Sequence, residues 1–248
     1  MRIELVEHDD ALRRTTPGRA RGLGTRGSSS GPRDTHRDGL PHTYPVPRQP
    51  LPDLPDEASV LKALTFSWTD KQGHRWDTEP EFELKTPMTL RIKGPVRRDG
   101  QQVGVISRLV RRTPEGPEIQ HIRIELDSAA RGRGFATAYW EACLEHYADV
   151  GLVRITFTAD EDGRRFWARD PVRFDKPEIP RFLLMHSGGV DALKEAGFGA
   201  DEAERFAAEI ETTPHLFTPA SLNATPMGQA LLTGAGAGWG AVVDIPPT

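Results

Sequence analysis

Cysteine is close to absent from this chain. Cys143 stands alone, so an internal disulfide framework and a cysteine-rich zinc site are both excluded. Long apolar runs are missing too, and none approaches the roughly 18 residues that cross a bilayer, so no membrane partner is expected. The first residues hold no apolar stretch of the kind that marks a secretory signal, and the expected setting is soluble, reducing and cytoplasmic. Nor is there an excess of positive charge. A net charge of −4 with a pI near 6.1 argues against binding nucleic acid through the surface as a whole. The eight histidines are scattered without metal-ligand spacing. Apolar residues make up 37%, short of the usual share of about 45–50%, while 21 prolines and 24 glycines are concentrated rather than spread. That combination predicts a folded part joined to an unfolded one.

The unfolded part is the N-terminal one. Between Arg13 and Arg48 eight arginines alternate with Gly, Ser and Pro, and apolar periodicity is lacking. Such a segment buries too little surface to offset the entropy of ordering it. Residues 1–55 therefore read as a flexible arm, with contact to nucleic acid or a protein partner as its second use. From about residue 56 to the end the pattern is that of a folded domain. Val60–Trp68 suits a strand or short helix, and Glu81–Leu84 and Met88–Lys93 alternate like half-buried strands. Arg98-Asp99-Gly100 is a tight-hairpin signal, and Val103–Val110 returns from it. Thr113–Pro117 turns into a further strand, Ile119–Leu126. Then the period changes. Phe135, Tyr139, Cys143, His146, Tyr147 and Val150 recur at helical spacing, and Gly151 ends that helix. Leu152–Thr158 is β-prone, and a short helix from about Asp160 ends before Pro171. Val172–Phe174 and Trp239–Ile245 read as strands flanking helices at about 178–235.

The informative stretch is strand, loop, helix, with the loop Arg131-Gly132-Arg133-Gly134-Phe135-Ala136. Glycines let a backbone turn with its N–H groups inward, and the helix beginning there adds the positive end of its dipole. A diphosphate is the natural guest. The Gly-Lys-Ser/Thr of a P-loop is absent. A dinucleotide fingerprint would follow a parallel strand, whereas this loop follows an antiparallel meander. The Arg-Gly string is also like an RGG nucleic-acid segment, but its place between strand and amphipathic helix speaks against that use.

In that context the chain resembles the GNAT (N-acetyltransferase) superfamily, whose acyl-CoA loop has the form Gln/Arg-x-x-Gly-x-Gly/Ala. Arg131, Gly134 and Ala136 fill its three fixed positions, and the aromatic pair Phe166-Trp167 follows in the short helix as in the family. The resemblance implies an α/β fold of α+β type: a mixed, mostly antiparallel central sheet with splayed parallel strands, flanking helices and a helical insertion before the last strand. The splayed pair would be Ile122–Leu126 and Leu152–Thr158. It implies acetyl-CoA, or another acyl-CoA, as cofactor, held by Leu126 on its pantetheine arm and by Arg131, Gly132, Arg133, Gly134, Phe135 and Ala136 on its pyrophosphate. Trp167 occupies the position where the family often has a tyrosine that protonates the leaving thiolate. Indole cannot supply that proton. Some relatives carry a glutamate base near the start of the strand before the loop. Here His121 and Glu125, expected on one face with Arg123, are the candidate catalytic pair, with a solvated strand face as the plain alternative. The implied activity is transfer of an acetyl group to a small-molecule or peptide amine by direct attack. The alternative is a non-catalytic GNAT-like module, as found by family resemblance inside phage or polymorphic-toxin-type proteins.

Overall fold

The structure is a computed structural model that describes residues 51–160, 163–234 and 238–246. The arm expected at 1–55 lies, up to residue 50, outside the described residues. The chain enters through helix α1 (Glu57–Leu64), where the Asp56 carboxylate accepts the Ser59 N–H at 2.9 Å as an N-cap. What sequence periodicity leaves as strand or helix over Val60–Trp68 is both, since Thr65 ends the helix and strand β1 (Ser67–Thr69) follows. β2 (Arg75–Thr78), β3 (Glu81–Lys85), β4 (Thr89–Arg98), β5 (Gln101–Thr113) and β6 (Gly116–Leu126) continue as an antiparallel meander. Asp99 at φ 51° and Gly100 at φ 81° make the two-residue turn between β4 and β5, the left-handed pair that suits a twisted hairpin.

Helix α2 (Phe135–Asp149) then crosses to β7 (Arg154–Ala159), which pairs parallel with β6. Short helix α3 (Gly163–Trp167) and strand β8 (Arg173–Phe174) precede helices α4 (Ile179–His186), α5 (Gly189–Glu195), α6 (Ala200–Thr212), α7 (Pro219–Asn223) and α8 (Pro226–Gly234), and β9 (Trp239–Asp244) closes the fold. The strand order is β1-β2-β4-β5-β6-β7-β9-β8, with β3 against β4. The sheet is thus mixed, mostly antiparallel with one parallel pair, and its helical insertion stands before the last strand, as the resemblance implied.

Burial follows from strand alternation. Ile155, Phe157 and Ala159 of β7 are buried, while the intervening Arg154, Thr156 and Thr158 are half-buried. The buried set meets α2, whose Phe135, Tyr139, Trp140, Cys143 and Tyr147 are all inside. Aromatic rings carry much of this contact. Phe135 stacks on Trp76 at 5.2 Å and on Tyr139 at 5.6 Å, and Trp140 meets Trp167 edge-on at 4.8 Å.

Two irregularities position the site. The β5–β6 register slips between the pairs Ser107↔Arg123 and Arg108↔His121, which leaves Ile122 as an extra residue, a β-bulge. At the same residue β6 parts from β7. Their parallel pairing runs from Glu118↔Arg154 to His121↔Phe157 and stops there. Beyond it, residues 123–126 keep β5 on one side and have no β7 partner on the other.

Candidate functional site

The opening where β6 leaves β7 is bounded by the loop and the start of α2. Gly132 lies at φ 71° and Gly134, the N-cap of α2, at φ 90°, both in the left-handed region that side chains disfavour. The first hydrogen bond of α2 runs from the Ala138 N–H to the Gly134 carbonyl at 3.0 Å. The N–H groups of Phe135, Ala136 and Thr137 therefore have no acceptor within the helix. No acidic residue stands in the first turn, and Arg131 and Arg133 precede it. The Arg131 guanidinium donates through Nε to the Leu126 carbonyl at 3.1 Å, tying the loop back to the end of β6. The cleft so formed holds about 170 Å³ and is lined by Ile124, Leu126, the whole of Arg131–Thr137, and Phe166.

Free N–H groups, a helix N-terminus and adjacent guanidinium groups together make an anion cradle. The apolar walls from Ile124, Leu126 and Phe166 give it a slot for an aliphatic arm. These residues fit an acyl-CoA. The positions expected to hold it, Leu126 and Arg131 to Ala136, are brought together here.

Trp167 is not. It is 1% exposed and packs within the core against Trp140 and Phe157, with its indole N–H unpartnered among the described residues. Its neighbour Phe166 faces the cleft instead. The correction has a simple cause: adjacent residues on a helix point about 100° apart, so only one of the pair can line the opening.

The expected pairing of His121 with Glu125 on one face is also corrected. The bulge at Ile122 shifts the alternation by one, so His121 shares a face with Ile119, Ile124 and Leu126, and all four are buried. Arg123 and Glu125 stand half-exposed on the other face and form an ion pair with each other. His121 shares a 3.0 Å hydrogen bond between Nε2 and the Tyr147 hydroxyl, and its ring meets Trp140 edge-on at 5.6 Å. Burial, and then the nearby Arg108 cation, push its pKa well below the ordinary value. His121 is consequently held neutral in the fold and free to take a proton when unfolded. Stability should be full above the unfolded value of about 6.5 and fall as pH drops below it, by up to about 1.4 kcal/mol per pH unit. Melting temperature followed from about pH 7.5 to 5 is expected to show this slope, and His121→Gln to flatten it.

Tyr139, Cys143 and Tyr147 sit in the core, as helical spacing predicts, and burial first of all raises the pKa of each. None is placed to give a proton to a thiolate in the cleft.

Arg108 is a residue that sequence reasoning passed over. It is fully buried and alternates with Ile106 and Val110 on the α2 face. The signal was a lone charged residue in an apolar period-two set. On the opposite sheet face, a second cavity of about 570 Å³ is lined by Arg111, Glu118, Thr156, Arg173, Asp175 and His215, among others. Of its β7 members, Arg154 and Thr156, the latter lies two residues, or about 7 Å of strand, before Thr158, where the parallel pairing has already ended.

Among curated proteins none matches this chain. Residues 58–169, from α1 to just past α3, match the family model described as Acetyltransferase (GNAT) family.

Proposed function

Because its segment 58–169 belongs to the acetyltransferase (GNAT) family, we propose that this protein transfers an acetyl group from acetyl-CoA to an amine. The observation that carries the reading is the cleft. Three N–H groups without an acceptor inside α2 and two left-handed glycines stand beside a β6 edge that β7 has abandoned. Arg131 to Ala136 would hold the pyrophosphate, while Ile124, Leu126 and Phe166 would flank the pantetheine arm.

When bound, the thioester supplies an acyl carbon. The amine nitrogen bonds to that carbon, the C–S bond breaks, and the proton lost by the amine balances the one gained by the thiolate. Of His121 and Glu125, only Glu125 stands on the face opposite α2 with solvent access. We assign it the amine proton, taken directly or through water. The thiolate then takes its proton from solvent, because neither Trp167 nor a buried tyrosine can give one. The proposed acceptor side is that same face, where Arg123 and Glu125 stand on the stretch of β6 that β7 has left.

A second reading is a module that binds acyl-CoA without turnover. The burial of Trp167, and Phe166 in the cleft where a proton donor would stand, favour it.

Titration calorimetry with CoA and acetyl-CoA tests the cofactor, and release of free thiol with an amine panel separates the two readings. We expect binding by the wild type, and Glu125→Gln to lower turnover by about a hundredfold with little change in CoA affinity. Failure to bind CoA at millimolar ligand ends the first reading. Binding without thiol release leaves the second.

A further inference from the structure

The bulge at Ile122 has a buried cation fastened to it. A bulge interrupts the ladder and leaves carbonyl groups without their strand partners. Here Arg108 Nη1 donates to the Ser107 carbonyl at 2.8 Å and to the Arg123 carbonyl at 2.8 Å, one on each strand of the pair that borders the slip. The guanidinium lies 5.5 Å from the Tyr139 ring, and its ionisable neighbours are His121, Tyr139, Tyr147 and Cys143. No carboxylate among the described residues lies within ion-pair distance of it, and beyond Nη1 its only polar side-chain neighbours there are neutral ones such as the Tyr139 and Tyr147 hydroxyls, neither in good hydrogen-bond geometry to Nε or Nη2. A charge buried without a counter-charge is among the most expensive groups a core can hold. A methionine at this position would fill similar space without that penalty. Core stability alone therefore does not account for an arginine.

We infer that Arg108 is a positioning residue: it clamps the Ile122 bulge and thereby sets the course of Arg123–Leu126, the strand edge bordering the acyl-CoA cleft. The geometry of the clamp stands by itself, and its consequence for acyl transfer rests on the function proposed above. Two features make the role local. The bulge coincides with the last β6–β7 pair, so a slip there would re-register only the stretch that follows, which pairs with β5 and not with β7. The pyrophosphate cradle lies beyond it, on the loop and α2, and does not touch Arg108.

The test compares Arg108→Met and Arg108→Lys with the wild-type chain by amide hydrogen exchange, thermal melting and CoA titration. In Arg108→Met, amides 123–126 should exchange at least about tenfold faster while the remainder of the sheet and the melting temperature change little. Lysine keeps a cation able to reach carbonyls and should recover part of the protection. CoA affinity should stay within about threefold, whereas kcat for acetyl transfer should fall about thirtyfold or more. Unchanged exchange at 123–126 overturns the clamp. So does faster exchange across the whole sheet with a large melting loss, in both variants, which would make Arg108 an ordinary core residue. If the wild type binds no CoA, the acetyltransferase reading fails, and the exchange data alone decide the clamp.

Discussion

Gly134→Val is expected to weaken CoA binding by about a hundredfold or more while leaving the sheet folded. Gly134 is the N-cap of α2 at φ 90°, a conformation that strains any side chain and a β-branched one most. An added Cβ would also come within 3.4 Å of the Trp68 ring. Relief requires the residue to leave the left-handed region, which re-aims the N–H groups of Phe135, Ala136 and Thr137 together. Charge-assisted bonds to a diphosphate are the main affinity such a cradle can offer, and losing their alignment by about 3 kcal/mol is a factor of about a hundred. Gly132 provides the comparison. Its Cβ would meet nothing within 4 Å, so alanine there strains the backbone alone, and we expect a loss of only about tenfold, matching the roughly 1–2 kcal/mol of a left-handed side chain. Calorimetry on both variants, with circular dichroism to verify the fold, checks the pair. Gly134→Val with wild-type affinity would move the cofactor grip elsewhere.

Gly104→Ala should produce the largest loss of stability near the site. Gly104 pairs with Leu126 at the end of the β5–β6 ladder, and a Cβ built on it falls 2.2 Å from the Glu125 carbonyl oxygen and 2.8 Å from Leu126 Cδ2. The first obstacle is backbone, so no rotamer change removes the clash. β6 must move, and it is held by the bulge on one side and by the loop on the other. Overpacking of this kind costs about 3 kcal/mol, equivalent to a melting drop of roughly 6–12 °C for a domain of this size. Scanning calorimetry measures it. A change below about 1 kcal/mol would mean that β6 yields easily, and would also weaken the argument that Arg108 holds it in place.

Both predictions concern backbone, and that reflects what could be read in advance. The Asp99-Gly100 hairpin, the α2 stripe ending at Gly151 and the strand–loop–helix around Arg131–Ala136 are local patterns. Turn residues and amphipathic spacing specify them without reference to distant partners. The bulge was written in the sequence less plainly, as Ile119 and Ile122 breaking the period of two before Ile124 and Leu126. Taken at face value, that pattern put His121 on the same face as Glu125. One extra residue reverses the facing of everything on one side of it, and only pairing with β5 locates that residue.

The sequence by itself determined the type and order of the elements that build the cleft, and the loop that could grip a diphosphate, because those depend on neighbours within a few positions. Tertiary structure alone decided which of Phe166 and Trp167 lines the opening, that His121 lies inside and Glu125 outside, and that Arg108 is buried across the bulge. The facing of a side chain depends on register and on what packs against its element, and contacts such as Arg108 with Arg123, or Asn223 with the Ala168 carbonyl, join residues that the chain order separates.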